Sequence, residues 1–193
     1  MTHRADQDAV LVERYLAGDT AAFDELMRAH QDRVFGVCLR MLRDRDAALD
    51  ATQETFITVF RKADRFAGRS AFSTWLYRVA VNTCYDATRK AKRNRAEPLP
   101  EISDPPDEHV TDEMAAIDLR SDIESALKSL PEEFRSAIVL SDLEGLALQT
   151  VADILDVPVG TVKSRVFRGR KLLAEMLGNL NSPSNPQSDE NNA

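Results

Sequence analysis

Residues 157–173 read VPVGTVKSRVFRGRKLL, and the charged members, Lys163, Arg165, Arg168, Arg170 and Lys171, are all cationic in a chain whose formal net charge is -7. Lys and Arg at this density neutralise phosphates, and as hydrogen-bond donors they match the acceptor edge of guanine. A helix starting near Val159 turns Val162, Val166, Gly169 and Leu173 to one side and Lys163, Ser164, Phe167, Arg168 and Lys171 to the other. The apolar side packs. On the other side, Ser164 can reach a base or a phosphate and Phe167 can touch a thymine methyl, while Arg165 lies off to the flank, within reach of a phosphate or of the preceding helix. Gly160 and Thr161, in the first turn, leave backbone N–H groups open to a phosphate. Basic helix faces are commonly just solvated. Seventeen residues without an acid, opening on a tight turn at VPV, favour nucleic acid over solvent.

A second chemical pattern is the carboxylate stripe Asp46, Asp50 and Glu54, whose four-residue spacing would suit a hard cation in a hydrolase. It lacks partners: His3, His30 and His109 are not at ligand spacing, there is no Gly-rich phosphate loop, and no nucleophile stands near a base. No catalytic residue, metal or cofactor is expected.

The elements that must position these residues are helical. Hydrophobic content of 43% and charge of 30%, with only seven Gly and eight Pro in 193 residues, describe a soluble chain free to form helix. No apolar run approaches the ~20 residues that span a bilayer, and the first ten residues lack the apolar core of a signal peptide, which places the protein in the cytoplasm without membrane insertion. The cysteines, Cys38 and Cys84, fall inside apolar helical patterns and read as buried, reduced thiols. Charge is unevenly distributed: residues 61–95 hold ten Lys and Arg against two acids, and residues 96–133 hold two against twelve.

Asp19 can cap a long helix whose apolar positions run Phe23, Leu26, Met27, His30, Val34, Val37, Cys38, Met41 and Leu42. A second begins near Asp46, with Leu49, Thr52, Phe56, Val59 and Phe60 inward. RFAGRS breaks the pattern at Gly68, and Ser70 or Ser73 starts a third, with Phe72, Trp75, Leu76, Val79, Thr83, Cys84 and Ala87 inward and Arg78, Asn82, Asp86, Arg89 and Lys90 outward. AEPLPEISDPPDEHVTD is acidic, Pro-rich and aperiodic, an extended linker. Helical periodicity resumes at Ile117, Leu119, Ile123, Ala126, Leu127 and Leu130; Pro131 opens another helix; Gly145 makes a turn; and LQTVADILD with the basic helix forms a helix-turn-helix. The expectation is an all-α protein of two small helical domains, 1–95 and 117–178, joined by the acidic linker 96–116 and followed by a disordered tail, 179–193.

With these residues in view, the chain resembles the sigma-70 family. LPEEFRSAIVLSDLEGLALQTVADILDVP followed by GTVKSRVFRGRKLL is similar to region 4 of that family, particularly its extracytoplasmic-function (ECF) group, and FDELMRAHQDRVFGVCLRMLRDRDAALDATQETFITVFRKADRF with FSTWLYRVAVNTCYDATRK is similar to region 2. No region 3 domain lies between them, as in the ECF group. The resemblance implies a stress-response transcription initiation factor that binds core RNA polymerase through its largest subunits, binds promoter DNA, and is restrained by an anti-sigma factor. It places Asp50, Gln53 and Glu54 against the polymerase clamp helices. Phe66, Gly68, Arg69 and Ser70 would form a loop holding a flipped base of the downstream (minus ten) element, with Asn82, Arg89 and Lys90 on the adjoining helix. Lys163, Ser164, Arg165, Phe167, Arg168 and Lys171 would meet the upstream (minus thirty-five) element. Ser141 departs from the basic residue relatives often carry there, which removes one phosphate contact.

Physical chemistry supports the same roles. Strand separation costs a few kcal/mol per unstacked base, offset when an extruded base is captured beside a positive surface such as residues 61–95. Phe72 and Trp75 fall on the apolar side of their helix, which leaves Phe66 as the better stacking candidate. The alternative, a helix-turn-helix regulator with an N-terminal sensing or dimerisation domain, leaves the basic block unexplained.

Overall fold

The computed structural model describes residues 2–63, 66, 70–96 and 123–180, and no strand occurs among them. Residues 97–116 of the expected linker, Ile117 and Leu119 of the helical pattern after it, residues 181–193 of the tail, Gly68 and Arg69 lie outside the described residues, whereas Ala96, expected in the linker, ends α4. The helices are α1 (Thr2–Leu16), α2 (Thr20–Leu42), α3 (Arg45–Lys62), α4 (Phe72–Ala96), α5 (123–129), α6 (Glu132–Ile138), a π-helical turn at Val139–Leu143, α7 (Leu148–Leu155) and α8 (Val159–Leu180).

Local chemistry sets the boundaries. Asp19 is the N-cap of α2 and accepts the Ala21 N–H at 3.1 Å, as its type and place predict. The turn before it needs Gly18, whose φ of 102° is open to glycine. α3 starts one residue earlier than Asp46 because Asp44 is the cap, accepting the Ala47 N–H at 2.7 Å. α1 was not legible in the periodicity: it buries Asp8, whose carboxylate lies 2.9 Å from His30 Nε2 of α2, and Val12. At the other end, α8 runs through Leu180, two residues into the segment expected as tail.

Packing follows the predicted stripes with three exceptions. Val34, Val37, Cys38, Val59, Leu76 and Cys84 are buried as the spacing requires. Leu49 and Phe60, expected inward, are each 48% exposed and flank an apolar groove between α2 and α3; Ile123 is also exposed, on α5. Cys38 and Cys84 are free thiols buried side by side between α2 and α4, and the Cys84 thiol, which donates its hydrogen bond to Cys38 and is desolvated by burial, is held above its ordinary range.

The two helical groups do not stand apart. One apolar core runs from Val12 through the α2–α4 helices to Val139, Val151 and Val162, and α7 packs on α4. Along this seam Arg40 Nη1 donates to Glu144 Oε1 at 2.8 Å and Tyr85 Oη to Ser136 Oγ at 2.9 Å. Tyr77 Oη is 3.4 Å from the other Glu144 oxygen. Burial, followed by the nearby Glu144 carboxylate, pushes the Tyr77 phenol up to about 12.

Candidate nucleic-acid and polymerase interfaces

α7 and α8 form the helix-turn-helix. α7 ends at Asp156, which takes the left-handed conformation at φ 54°, and Pro158 accepts the Thr161 N–H at 2.8 Å to start α8. Val162, Val166 and Gly169 are buried against the body, and Lys163, Ser164, Phe167, Arg168 and Lys171 are exposed, the split that the helical period predicts. Phe167 is 71% exposed, a large apolar side chain held in solvent on a basic face. Gly169 lets α8 approach α6: a Cβ there would stand 2.9 Å from Ile138 Cγ1. Gly160 has open space around it at the helix start.

Two cations of this helix are engaged differently. Arg170 makes paired hydrogen bonds to Asp142, both at 2.8 Å, and this guanidinium holds the Asp142 carboxyl below its ordinary range. Ser141 Oγ donates to the same carboxylate at 2.7 Å, and Arg170 stands beside Ser141 from the opposite helix. Sequence reading named Arg170 among the basic residues of this helix without giving it a role and did not see its partner, 28 positions away. Arg165 is half-buried and faces a crevice bordered by Tyr85, Arg89 and Glu132.

On α4, Asn82, Arg89 and Lys90 are exposed, and Asp86 sits 3.3 Å from Arg89. Ser70 is exposed just ahead of the helix. Phe66 is half-buried, with its ring centroid 5.7 Å from Phe72 and 5.5 Å from Trp75, so the loop aromatic belongs to the same cluster as the two helix aromatics rather than standing free of them. His30 extends that cluster, 5.7 Å from Phe72.

Asp50, Gln53 and Glu54 are all exposed on α3. Asp50 and Glu54 border a groove toward α4 that includes Lys90, whereas Gln53 borders the apolar groove toward α2, about 800 Å³ in volume. The helix thus offers its acids between two unlike grooves. Sequence reading found the acids and missed the apolar groove, although Leu49, Phe56 and Phe60 carried the signal. Among the described residues, no group of three or more His, Cys, Asp or Glu gathers to hold a metal ion, and no helix is long and apolar enough to cross a membrane.

Two family models match the chain: Sigma-70 region 2 over residues 26–94 and Sigma-70, region 4 over residues 120–173. The RNA polymerase sigma-H factor of Pseudomonas aeruginosa is 36% identical over 184 residues, which is 89% of this chain and 94% of that protein. The ECF RNA polymerase sigma-E factor of Haemophilus influenzae is 39% identical over 86% of this chain and 93% of its own length. Among solved structures, the sigma factor RpoE of Bartonella quintana, in complex with the anti-sigma factor NepR, is 25% identical with a TM-score of 0.65, covering 81% of this chain and 96% of that one. CnrH, solved with the cytosolic domain of CnrY, shares the fold at a TM-score of 0.70 and 23% identity, over 91% of this chain and 99% of that one.

Proposed function

Because this chain belongs to the ECF RNA polymerase sigma factors of the sigma-70 family, we propose that α3 docks it on core polymerase while α4 and α8 read the two promoter elements. It is an initiation factor: it binds core RNA polymerase and promoter DNA and directs the start of transcription, acting in the cytoplasm and not as a catalyst. An anti-sigma factor is its restraining partner, the class of protein seen with the RpoE neighbour.

The observation that carries this reading is the outward face of α8. Five side chains able to contact DNA are exposed over a buried Val162, Val166 and Gly169 stripe, on the second helix of a helix-turn-helix. Lys163 and Arg168 are the readers of base edges there, Ser164 and Phe167 trim the preference, and Lys171 holds phosphate. Exposed Asn82, Arg89 and Lys90 supply the surface for the downstream element, with Phe66, Gly68, Arg69 and Ser70 as the base-holding loop. Residues 1–95 and 117–178 are then the two working domains and 96–116 their tether.

On α3, Asp50, Gln53 and Glu54 form the polymerase contact, and the apolar groove beside Gln53 widens it. The test is reversal of both acids, Asp50→Lys with Glu54→Lys. Exposed helix positions shift stability by under ~0.5 kcal/mol, so the fold should persist while holoenzyme formation, read by native gel or anisotropy, is weakened at least tenfold. Undiminished core binding by the double variant would remove α3 from the interface. Tight binding to operator duplex by the wild-type chain alone, with no promoter opening when core is added, would instead favour a free-standing regulator.

A further inference from the structure

The aromatic cluster beneath Phe66 has a member that belongs neither to the loop nor to α4. His30 of α2 packs its ring 5.7 Å from that of Phe72, and its Nε2 lies 2.9 Å from Oδ1 of Asp8 on α1. Both side chains are buried, at 3% and 4% exposure. A buried carboxylate is costly without a hydrogen-bond partner, and His30 supplies one. Two apolar side chains of similar volume would fill the same space with no desolvation penalty, but they would not fix the rotation of a ring. A directional hydrogen bond does.

α1 has other fastenings. Val12 is buried, the Tyr15 ring lies 5.3 Å from that of Phe23 and 5.6 Å from that of Phe60, and Arg14 pairs with Asp19 at 2.7 Å. What Asp8 adds is a fixed His30. From His30 the ring contacts continue in sequence. Phe72, buried at the first position of α4, stands edge-on to Phe66 at 5.7 Å and lies 5.9 Å from Trp75, and Phe66 and Trp75 are 5.5 Å apart. The Phe66 N–H bonds Ala63 O at 3.0 Å, so a turn holds its backbone while Phe72 and Trp75 hold its ring. Packed rings prefer particular relative angles. A rotation of the imidazole is therefore passed to Phe72 and from there to Phe66.

We propose that Asp8 and His30 are positioning residues for promoter opening: their hydrogen bond fixes the imidazole, the imidazole sets Phe72, and Phe72 sets the angle at which Phe66 meets an unstacked base. α1 is by this route part of the opening machinery, although none of its side chains touches DNA. The inference rests on the assignment of Phe66 to base capture.

The test uses the full chain with core polymerase and a promoter that the wild-type holoenzyme selects from a random library, carrying 2-aminopurine in the downstream element. Its fluorescence reads the opening equilibrium, anisotropy reads core affinity, and Trp75, the sole tryptophan, reports the cluster by its emission. Asp8→Ala should lower the opening constant about five- to thirtyfold, as one weakened base–aromatic stack would, and shift Trp75 emission, with core affinity unchanged. Asp8→Asn, which keeps an oxygen for Nε2–H, should recover most of that loss. Val12→Ala, which loosens α1 but leaves the Asp8–His30 bond in place, should keep the opening constant and Trp75 emission at wild-type values despite a lower melting temperature. In a cycle with Phe66→Ala the two losses should not add, because Asp8 acts through Phe66. Opening by Asp8→Ala equal to wild type, an equal loss in Val12→Ala, unmoved Trp75 emission, or additive losses in the cycle would each overturn the proposal. If Asp8→Ala loses helicity, His30→Gln, which can still bond Asp8 but takes the ring from Phe72, decides by the same readings. Unimpaired opening by Phe66→Ala would overturn the base-capture assignment instead, and Trp75 emission would still decide whether Asp8 sets the cluster.

Discussion

Replacing Gly169 by Ala puts a methyl carbon 2.9 Å from Ile138 Cγ1, 3.3 Å from its Cδ1 and 3.4 Å from Phe134 Cβ. The first separation is shorter than packed carbons tolerate, and Cγ1 is held close to the backbone of α6, so α8 or α6 must move. Overpacking of this kind costs ~1–3 kcal/mol. Against it stands the gain of Ala over Gly in a helix interior, about 1 kcal/mol. The net expected for Gly169→Ala is a loss of about 1 kcal/mol. The sign should reverse when the obstacle is removed. Ile138→Ala by itself should cost about 2–5 kcal/mol as a buried truncation, but adding Gly169→Ala to it should recover about 1 kcal/mol from helix propensity, giving a coupling of roughly 1–3 kcal/mol between the sites. Urea unfolding of the four proteins followed by circular dichroism measures all of this. If Gly169→Ala has the same effect with Ile138 present or absent, the close approach of α8 to α6 is not what requires glycine there.

Two further outcomes are expected. Tyr77 ionises at about 12 in the fold, raised by burial first and then by Glu144, against about 10 in an unfolded chain; its stabilisation is therefore full below pH ~10 and lost as pH rises through 12, so the wild type should lose about 2–3 kcal/mol more than Tyr77→Phe across that window, and parallel denaturation midpoints would refute it. Arg168→Ala should cost about 1–3 kcal/mol at the preferred upstream element and relax preference at one base position, whereas Lys171→Ala should weaken all sequences evenly and reduce the salt slope by about one; a promoter library bound by holoenzyme at several salt concentrations separates the two, and an untouched preference in Arg168→Ala would mean that residue does not read bases.

What could be read from the sequence was whatever repeats locally. The inward Val162, Val166 and Gly169 and the outward Lys163, Phe167 and Arg168 follow from 100° per residue, and the Asp19 cap follows from a side chain that bonds two residues away. α1 escaped because it is anchored through Asp8, a carboxylate that looks solvated until His30, 22 positions on, is seen against it. Leu49 and Phe60 fitted the apolar stripe of α3 yet open onto a groove, since periodicity says which side is apolar and not whether anything covers it. The seam was hidden for a related reason. An acidic linker reads as a separator, while the pairs Arg40 with Glu144 and Arg135 with Met41 O join positions about a hundred residues apart, and neither side announces its partner.

The two cysteines have a practical consequence. Thiol reagents attack the exposed thiolate, and Cys38 and Cys84 are 0% and 1% exposed, with Cys84 held in its thiol form. A cysteine introduced on the outer surface of α3 or α8 would therefore react with maleimide dyes long before either native thiol. Fluorescent reporters can be placed on this protein one at a time without first removing its own sulfur atoms, and the helix pair α2 and α4, which a double replacement would leave with two cavities, keeps its packing.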